Sequence, residues 1–181
     1  MNNNNILKGI FCIIIAGFGF ALMSLFVKLS GDLPSMQKGF FRNIIAVFLS
    51  SIPLIKHWKV INIPRNNTGW LVLISRSVFG TIGLVLNFYA ISHISLADSS
   101  IIQKLSPFII IILSYIFFKE EMTRFQVFAI IIAFIGITLI IKPSGNNIIS
   151  MGALAALLGA LCAGIAYTCV RYLGTHNISG E

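Results

Sequence analysis

Ser99, Gln103, Ser106, Ile110 and Ser114 follow one another at steps of four, three, four and four inside the apolar run that ends at Phe118. At about 3.6 residues per turn, these positions share one face of a helix and form a polar stripe on an otherwise apolar rod. Pro107 lies inside the stripe. It has no N–H to give, so the carbonyl of Gln103 loses its usual helical partner and becomes an acceptor beside the stripe. With no base beside them to activate a hydroxyl, the serines, the amide and the spare carbonyl offer hydrogen bonds. Their chemistry is the holding of a polar solute. Some of the serines can instead turn back onto their own backbone.

A second face combines a charge with small residues: Arg76, Gly80, Gly83 and Asn87, at steps of four, three and four. The glycines read as a close-packing seam between helices, with Asn87 and nearby Tyr89 as the positions suited to a solute cavity. Arg76 falls about 10 Å into its helix, and Arg42 lies at a comparable depth in the preceding one. An arginine within a membrane costs about 2.5–3.5 kcal/mol on insertion scales and often marks a path or an ion pair. Arg76 therefore either snorkels to the nearer interface or holds an anionic, carboxylate-bearing solute.

Asp98 is the one acid at the edge of an apolar run, which suggests proton coupling. The pattern Ser95-Leu-Ala-Asp98 is also a capping box, and a carboxylate in a first turn suits the helix dipole. The cap is the reading adopted. Thr123 with Gln126 forms a second capping box, with Met122 and Val127 placed as its hydrophobic staple. Glu120 and Glu121 then read as solvated acids beside a helix start. Lys104 is expected at the interface.

No set of residues here offers a nucleophile, an acid and a base together. His57, His93 and His176 fall in turns or tails. Cys12, Cys162 and Cys169 lack metal or disulfide spacing and read as small core residues. The expectation is a chain that is not an enzyme and uses no metal or cofactor.

The elements that must position these residues are membrane-spanning helices. The 181 residues are 57% hydrophobic and 10% charged, with a mean hydropathy of +0.93, whereas soluble domains carry about 25% charged residues. Six apolar segments of helical length stand out, near residues 6–27, 38–55, 69–91, 96–118, 123–141 and 151–173. None alternates as a barrel strand would. The short turns between them make successive helices antiparallel neighbours. The expected fold class is an all-α polytopic transmembrane helix bundle.

The net charge of +8 is scattered between apolar runs and forms no basic face, so nucleic acid is not an expected partner. The charge reports topology instead. With the N-terminus inside, Lys8, Lys56, Lys59, Arg65, Lys119, Arg124 and Arg171 are cytoplasmic, against Lys28, Lys38, Lys142 and the marginal Lys104 outside. Trp58, Trp70 and Tyr172 then serve as cytoplasmic interface anchors. The first apolar run is longer than a signal-peptide core and reads as a retained helix.

The chain also matches itself. A shift of 143 positions (152 − 9) lays Gly9 on Gly152, Gly17 on Ala160, Ala21 on Gly164, Lys28 on Arg171 and Gly31 on Gly174. The sixth segment thus reads as a second copy of the first. The faces Gly17, Ala21, Ser24, Lys28 and Ala160, Gly164, Tyr167, Arg171 are read as packing seams, with Ser24 and Tyr167 as weaker cavity candidates. Five helices followed by a copy of the first imply a duplication, and an odd number of spans per unit inverts the second copy. Residues 1–144 form the first unit and 145–181 the start of another. By that logic the chain stops short of a complete second unit and reads as a fragment or truncated product.

These stretches, from KGIFCIIIAGFGFALMSLFVK through RSVFGTIGLVLNFYAISHISLADSSIIQKLSPFIIIILSYIFFKEEMTRFQ and FIGITLIIKPS to MGALAALLGALCAGIAYTCVRYLG, resemble the N-terminal part of EamA-type drug/metabolite transporters. The resemblance implies two inverted five-helix repeats around a central cavity, and secondary transport of small metabolites, amino acids or drug-like compounds across the cell (inner) membrane. The partners it implies are the bilayer, a small solute, and a missing C-terminal repeat or second copy. Related small multidrug exporters carry a glutamate in their first helix, which this chain lacks. The expected cavity residues are Arg76, Asn87, Tyr89, Gln103, Ser106 and Pro107, with Ser24 and Tyr167 behind them. The alternative is a non-transporting truncated protein or a half that assembles with another chain.

Overall fold

The computed structural model describes residues 3–56, 67–119, 121–141 and 151–175. His57, Trp58, Lys59, Arg65, Glu120, Lys142 and His176 lie outside the described residues. In chain order the helices are α1 (Asn3–Leu29), α2 (Ser35–Lys56), α3 (Asn67–His93), α4 (Leu96–Gln103), α5 (Ser106–Phe118), α6 (Arg124–Ile141) and α7 (Met151–Thr175). Each expected segment is helical, and the described residues contain no strand. The chain is an all-α, multi-pass membrane helix bundle. Gly9–Leu29, Asn67–His93, Leu96–Phe118 and Met151–Thr175 are long and apolar enough to cross a bilayer, and Arg124–Leu139 is a shorter apolar helix. α2 has the length, but Gln37, Lys38, Arg42 and Asn43 make its first half polar.

The fourth expected span departs from a single straight helix. α4 ends at Gln103, and the amides of Lys104 and Leu105 bond three residues back, to Ile101 and Ile102, each at 3.0 Å. α5 then restarts with Pro107 in its first turn. A proline there needs no N–H partner, since first-turn amides have none within the helix.

α7 is the central helix. It lies along α3 and packs on α4 and α5, while α1 and α2 rest on α3 and α6 touches α4. Glycines allow this closeness. A Cβ at Gly83 would stand 3.2 Å from the Gly159 carbonyl, and one at Gly159 would stand 3.3 Å from the Gly83 carbonyl. In a bilayer, where lipid tails are as apolar as leucine, such backbone-close packing supplies much of the attraction between helices. The core around it is small on one side and branched on the other: Ala153, Ala156 and Ala160 of α7 against Ile102, Leu105 and Ile109.

Directions follow from these contacts. Gly152, at the start of α7, abuts Ile94 just past the end of α3, so α7 runs antiparallel to α3. Lys28, in the last turn of α1, reaches that same end of α3, so α1 runs parallel to α3. The two helices that match in sequence therefore point in opposite directions.

Candidate functional site

Two lysines hold the end of the bundle where α1 turns into α2. Gly31 turns the chain there with a φ of +60°, a left-handed conformation that suits glycine. Lys28 Nζ donates to the carbonyls of Ile91 (2.7 Å) and Ile94 (2.8 Å). Lys38 is only 9% exposed. Its Nζ donates to the Val27 carbonyl (3.1 Å), the Gly31 carbonyl (3.0 Å) and Ser92 Oγ (3.0 Å). The ends of α1 and α3 carry partial negative charge on their last carbonyls, and each ammonium neutralises it. The sequence reads both lysines as markers of sidedness, and Lys28 also as part of a packing seam, without indicating these acceptors. The available signal was two cations flanking a Gly-Asp-Leu-Pro turn, close to helix C-termini.

The polar stripe starts beside this clamp. Ser95 caps α4, its Oγ accepting the Asp98 N–H at 3.1 Å. Asp98 thus sits in a first turn, as the capping pattern requires. One turn on, Ser99 is fully buried and donates to Asn87 Oδ1 of α3 at 3.4 Å. This contact joins the stripe to the Arg76–Asn87 face. Gly80 and Gly83 of that face lie on the seam with α7.

At Gln103 the structure corrects an expectation. Ser106 Oγ donates to the Gln103 carbonyl at 3.0 Å, so the acceptor exposed by Pro107 is already engaged on one lone pair. The free acceptor is the side chain: Gln103 Oε1 is buried without a hydrogen-bond partner. Arg76 Nε is the other buried side-chain polar atom without a hydrogen-bond partner among the described residues. Arg76 and Asn87 share α3, about 16 Å apart along its axis. Ser114 ends the stripe, buried, with Arg171 Nη1 of α7 donating to its Oγ at 2.8 Å. The Arg171 guanidinium also lies 5.6 Å from the Phe118 ring centroid, in cation–π range. The sequence places Arg171 on a helix seam and among the cytoplasmic cations and does not indicate this inter-helix contact.

The remaining candidates are dispersed. Tyr89 stacks on His93, with centroids 4.0 Å apart, and packs against the alanine-rich core. Ser24 donates to its own helix, to the Phe20 carbonyl at 3.0 Å. Tyr167 is 56% exposed, and Pro107 is also exposed. Lys104 is exposed. It borders a shallow cleft of about 230 Å³ walled by Ile101, Leu105, Phe108, Ala133, Gly136 and Ile137. The structure thus joins Asn87 to Ser99 and Gln103 to Ser106, sets Arg76 further along α3, and leaves Ser24 and Tyr167 outside the group.

Comparison with known proteins supplies the class to which this bundle belongs. The model of the EamA-like transporter family matches residues 7–142. The chain is 34% identical over 175 residues to the pseudopaline exporter CntI of Pseudomonas aeruginosa, covering 96% of this chain and 60% of that protein. It is 30% identical over 172 residues to an uncharacterized transporter of Helicobacter pylori, covering 94% and 57%. It is 30% identical over 179 residues to solute carrier family 35 member G1 of Mus musculus, covering 92% and 48%. The chain thus spans roughly half to three-fifths of the length of these relatives. No solved structure matches it significantly. With three quarters of its length matched by the family model, the chain belongs to the EamA-like transporter family.

Proposed function

We propose that this chain forms part of a secondary transporter that moves small organic solutes across the cell (inner) membrane by alternating access, with its N-terminus in the cytoplasm. Residues 145–181 open a second, inverted repeat, and the solute site lies between the two units, as in transporters built from inverted repeats. The solute path takes its polar groups from Arg76, Asn87, Gln103 and Ser106, with Tyr89 and Pro107 shaping it and with Ser24 of α1 and Tyr167 of α7 as secondary contributors at its margin.

One observation carries the reading: Arg76 Nε and Gln103 Oε1 are buried in a membrane bundle with no partner. Unmet polar atoms at that depth are costly unless something visits them. A donor and an acceptor with unmet hydrogen-bonding capacity suit a solute carrying both an anionic group and a hydrogen-bond donor. The pseudopaline exporter among the relatives agrees with outward movement.

The test is flux in reconstituted vesicles, screening labelled amino acids and other small carboxylates with and without a proton gradient. Arg76→Gln, checked for insertion, is expected to lower flux of a carboxylate solute at least about tenfold, the loss of one charged hydrogen bond. Unchanged flux with Arg76→Gln would remove Arg76 from the path. The absence of flux for any solute under any gradient would overturn the transport reading.

A further inference from the structure

Ile101, Lys104 and Phe108 follow one another at steps of three and four, so they share one face of the broken α4–α5 span. Across from them stand Ala133 and Gly136 of α6, and the cleft of about 230 Å³ lies between. No described atom lies within 4 Å of a Cβ built at Gly136, so its missing side chain leaves open space. Pockets for drug-sized solutes run to about 300–1,000 Å³, which makes this cleft a place for something slender. Lys104 brings the one charge among its described lining residues. The side chain is exposed, and its ammonium has no hydrogen bond or ion pair with any described residue. Leu96–Phe118 is long and apolar enough to cross a bilayer, and Lys104 lies about 12 Å in from its Leu96 end. Helical side chains lean toward the N-terminal end of their helix, here the nearer membrane surface. The Lys104 stem thus runs along hydrocarbon while its ammonium climbs toward the headgroups. Asp98, the acid on the same helix, lies about 120° around it and does not share this face.

We propose that this cleft binds one anionic phospholipid, with its phosphodiester on the Lys104 ammonium and one acyl chain between Ile101, Phe108 and Gly136. Charge and shape point to the same occupant. A cation rooted at acyl-chain depth without a counter-ion from the protein calls for an anion. Within a bilayer, the anion that arrives already joined to a hydrocarbon chain is a lipid phosphate, and basic residues beside spans draw anionic lipids. The apolar walls and the notch at Gly136 suit the chain, and neither suits a hydrated free ion. Ser99, which bonds Asn87 of α3, lies about 140° around α4 from Lys104. The lipid and the solute candidates therefore occupy different sides of the helix, and the proposal stands apart from the transport reading. It also gives α6 a second attachment. Among the described helices α6 has α4 as its main neighbour, and a chain lying between the two fills the space that their side chains leave.

The test is photolabelling of the protein in phosphatidylcholine vesicles that contain a trace of phosphatidylglycerol bearing a diazirine midway along one acyl chain. A phosphatidylcholine probe with the same chains measures labelling by lipid at large. The expected result is adducts within residues 101–108 and 133–137, about fivefold richer with the anionic probe. Lys104→Gln is expected to abolish that preference and Lys104→Arg to keep it. Lys119→Gln, at an exposed cation outside the cleft, should leave it unchanged. Gly136→Leu, which fills the notch, is expected to lower the anionic adducts to the level of the phosphatidylcholine probe. Lys104→Gln decides the matter alone if Gly136→Leu does not insert. Glycerol phosphate, the headgroup without chains, is expected not to compete; full competition would assign Lys104 to a soluble anion and overturn the proposal. Equal labelling by the two probes, a preference that survives Lys104→Gln, or no adduct in the cleft because polypeptide covers it would each overturn it as well.

Discussion

Lys38, on α2, places its ammonium 3.0 Å from Ser92 Oγ at the far end of α3 while also bonding two carbonyls at the end of α1. One buried side chain thereby ties three helices together, and Lys28 ties two of the three again. Charged hydrogen bonds are worth about 1.5–3 kcal/mol each, and an abandoned buried acceptor costs about 1–3 kcal/mol.

Lys38→Met is therefore expected to destabilise the bundle by about 3 kcal/mol, and Lys28→Met, whose partners are closer to solvent, by about half of that. Thermal unfolding in detergent measures both. Equal or negligible losses would mean that water takes over the carbonyls and that the clamp is incidental.

Gly164→Ala places a methyl against Ile109 Cγ2, which a β-branched side chain cannot easily withdraw. The expected cost is about 1–3 kcal/mol, as for overpacked cores. Ile109→Ala should relieve part of it, so the double variant should be less unstable than the two single losses summed. Gly136→Ala, with no described atom within 4 Å, is the control and should be close to neutral. Additive behaviour of the first pair would place the two residues out of contact.

The Asn87–Ser99 contact, at 3.4 Å, is long for a hydroxyl donor. A double-mutant cycle with Asn87→Ala and Ser99→Ala is expected to give a coupling of only about 0.6 kcal/mol, the average for polar contacts inside membrane bundles. A coupling above about 2 kcal/mol would mean that the pair is a structural lock instead of a polar surface left available to a solute.

Pro107→Ala restores the N–H that the Gln103 carbonyl lacks. If proline sets the break between α4 and α5, spin labels at Ala97 and Phe117 should move by about 2 Å or more as the two helices join. Ser106→Ala should leave the distance unchanged. An unaltered distance in Pro107→Ala would assign the break to packing against α7.

Local chemistry was well legible in the sequence. Thr123 and Gln126 form both halves of their capping box, Thr123 N to Gln126 Oε1 at 2.9 Å and Gln126 N to Thr123 Oγ1 at 3.4 Å, because every atom involved lies within four residues. Ser95 and Asp98 were legible for the same reason. The six apolar segments were visible from hydropathy alone. What the sequence could not show were long-range relations. The stripe on α4 and α5 announces a polar face, but not that Ser114 meets Arg171 fifty-seven residues later. Nor did it reveal that Ser106 would turn back to satisfy Gln103, since proline's missing N–H is written in the sequence and the rotamer of a neighbouring hydroxyl is not. The contacts of the lysines were hidden for a related reason: charge counting treats a cation as a label of sidedness, and most acceptors of Lys28 and Lys38 are main-chain atoms that no residue letter encodes.

That last point sets how the protein tolerates mutation. Every acceptor of Lys28, and two of the three acceptors of Lys38, are peptide carbonyls, which any amino acid supplies. Positions 27, 91 and 94 can drift among apolar residues without loosening the joint, while the two lysines cannot be exchanged for uncharged residues. A saturation scan should accordingly find intolerance concentrated at the donors and permissiveness at the receptors, an imbalance that a side-chain-to-side-chain ion pair would not produce.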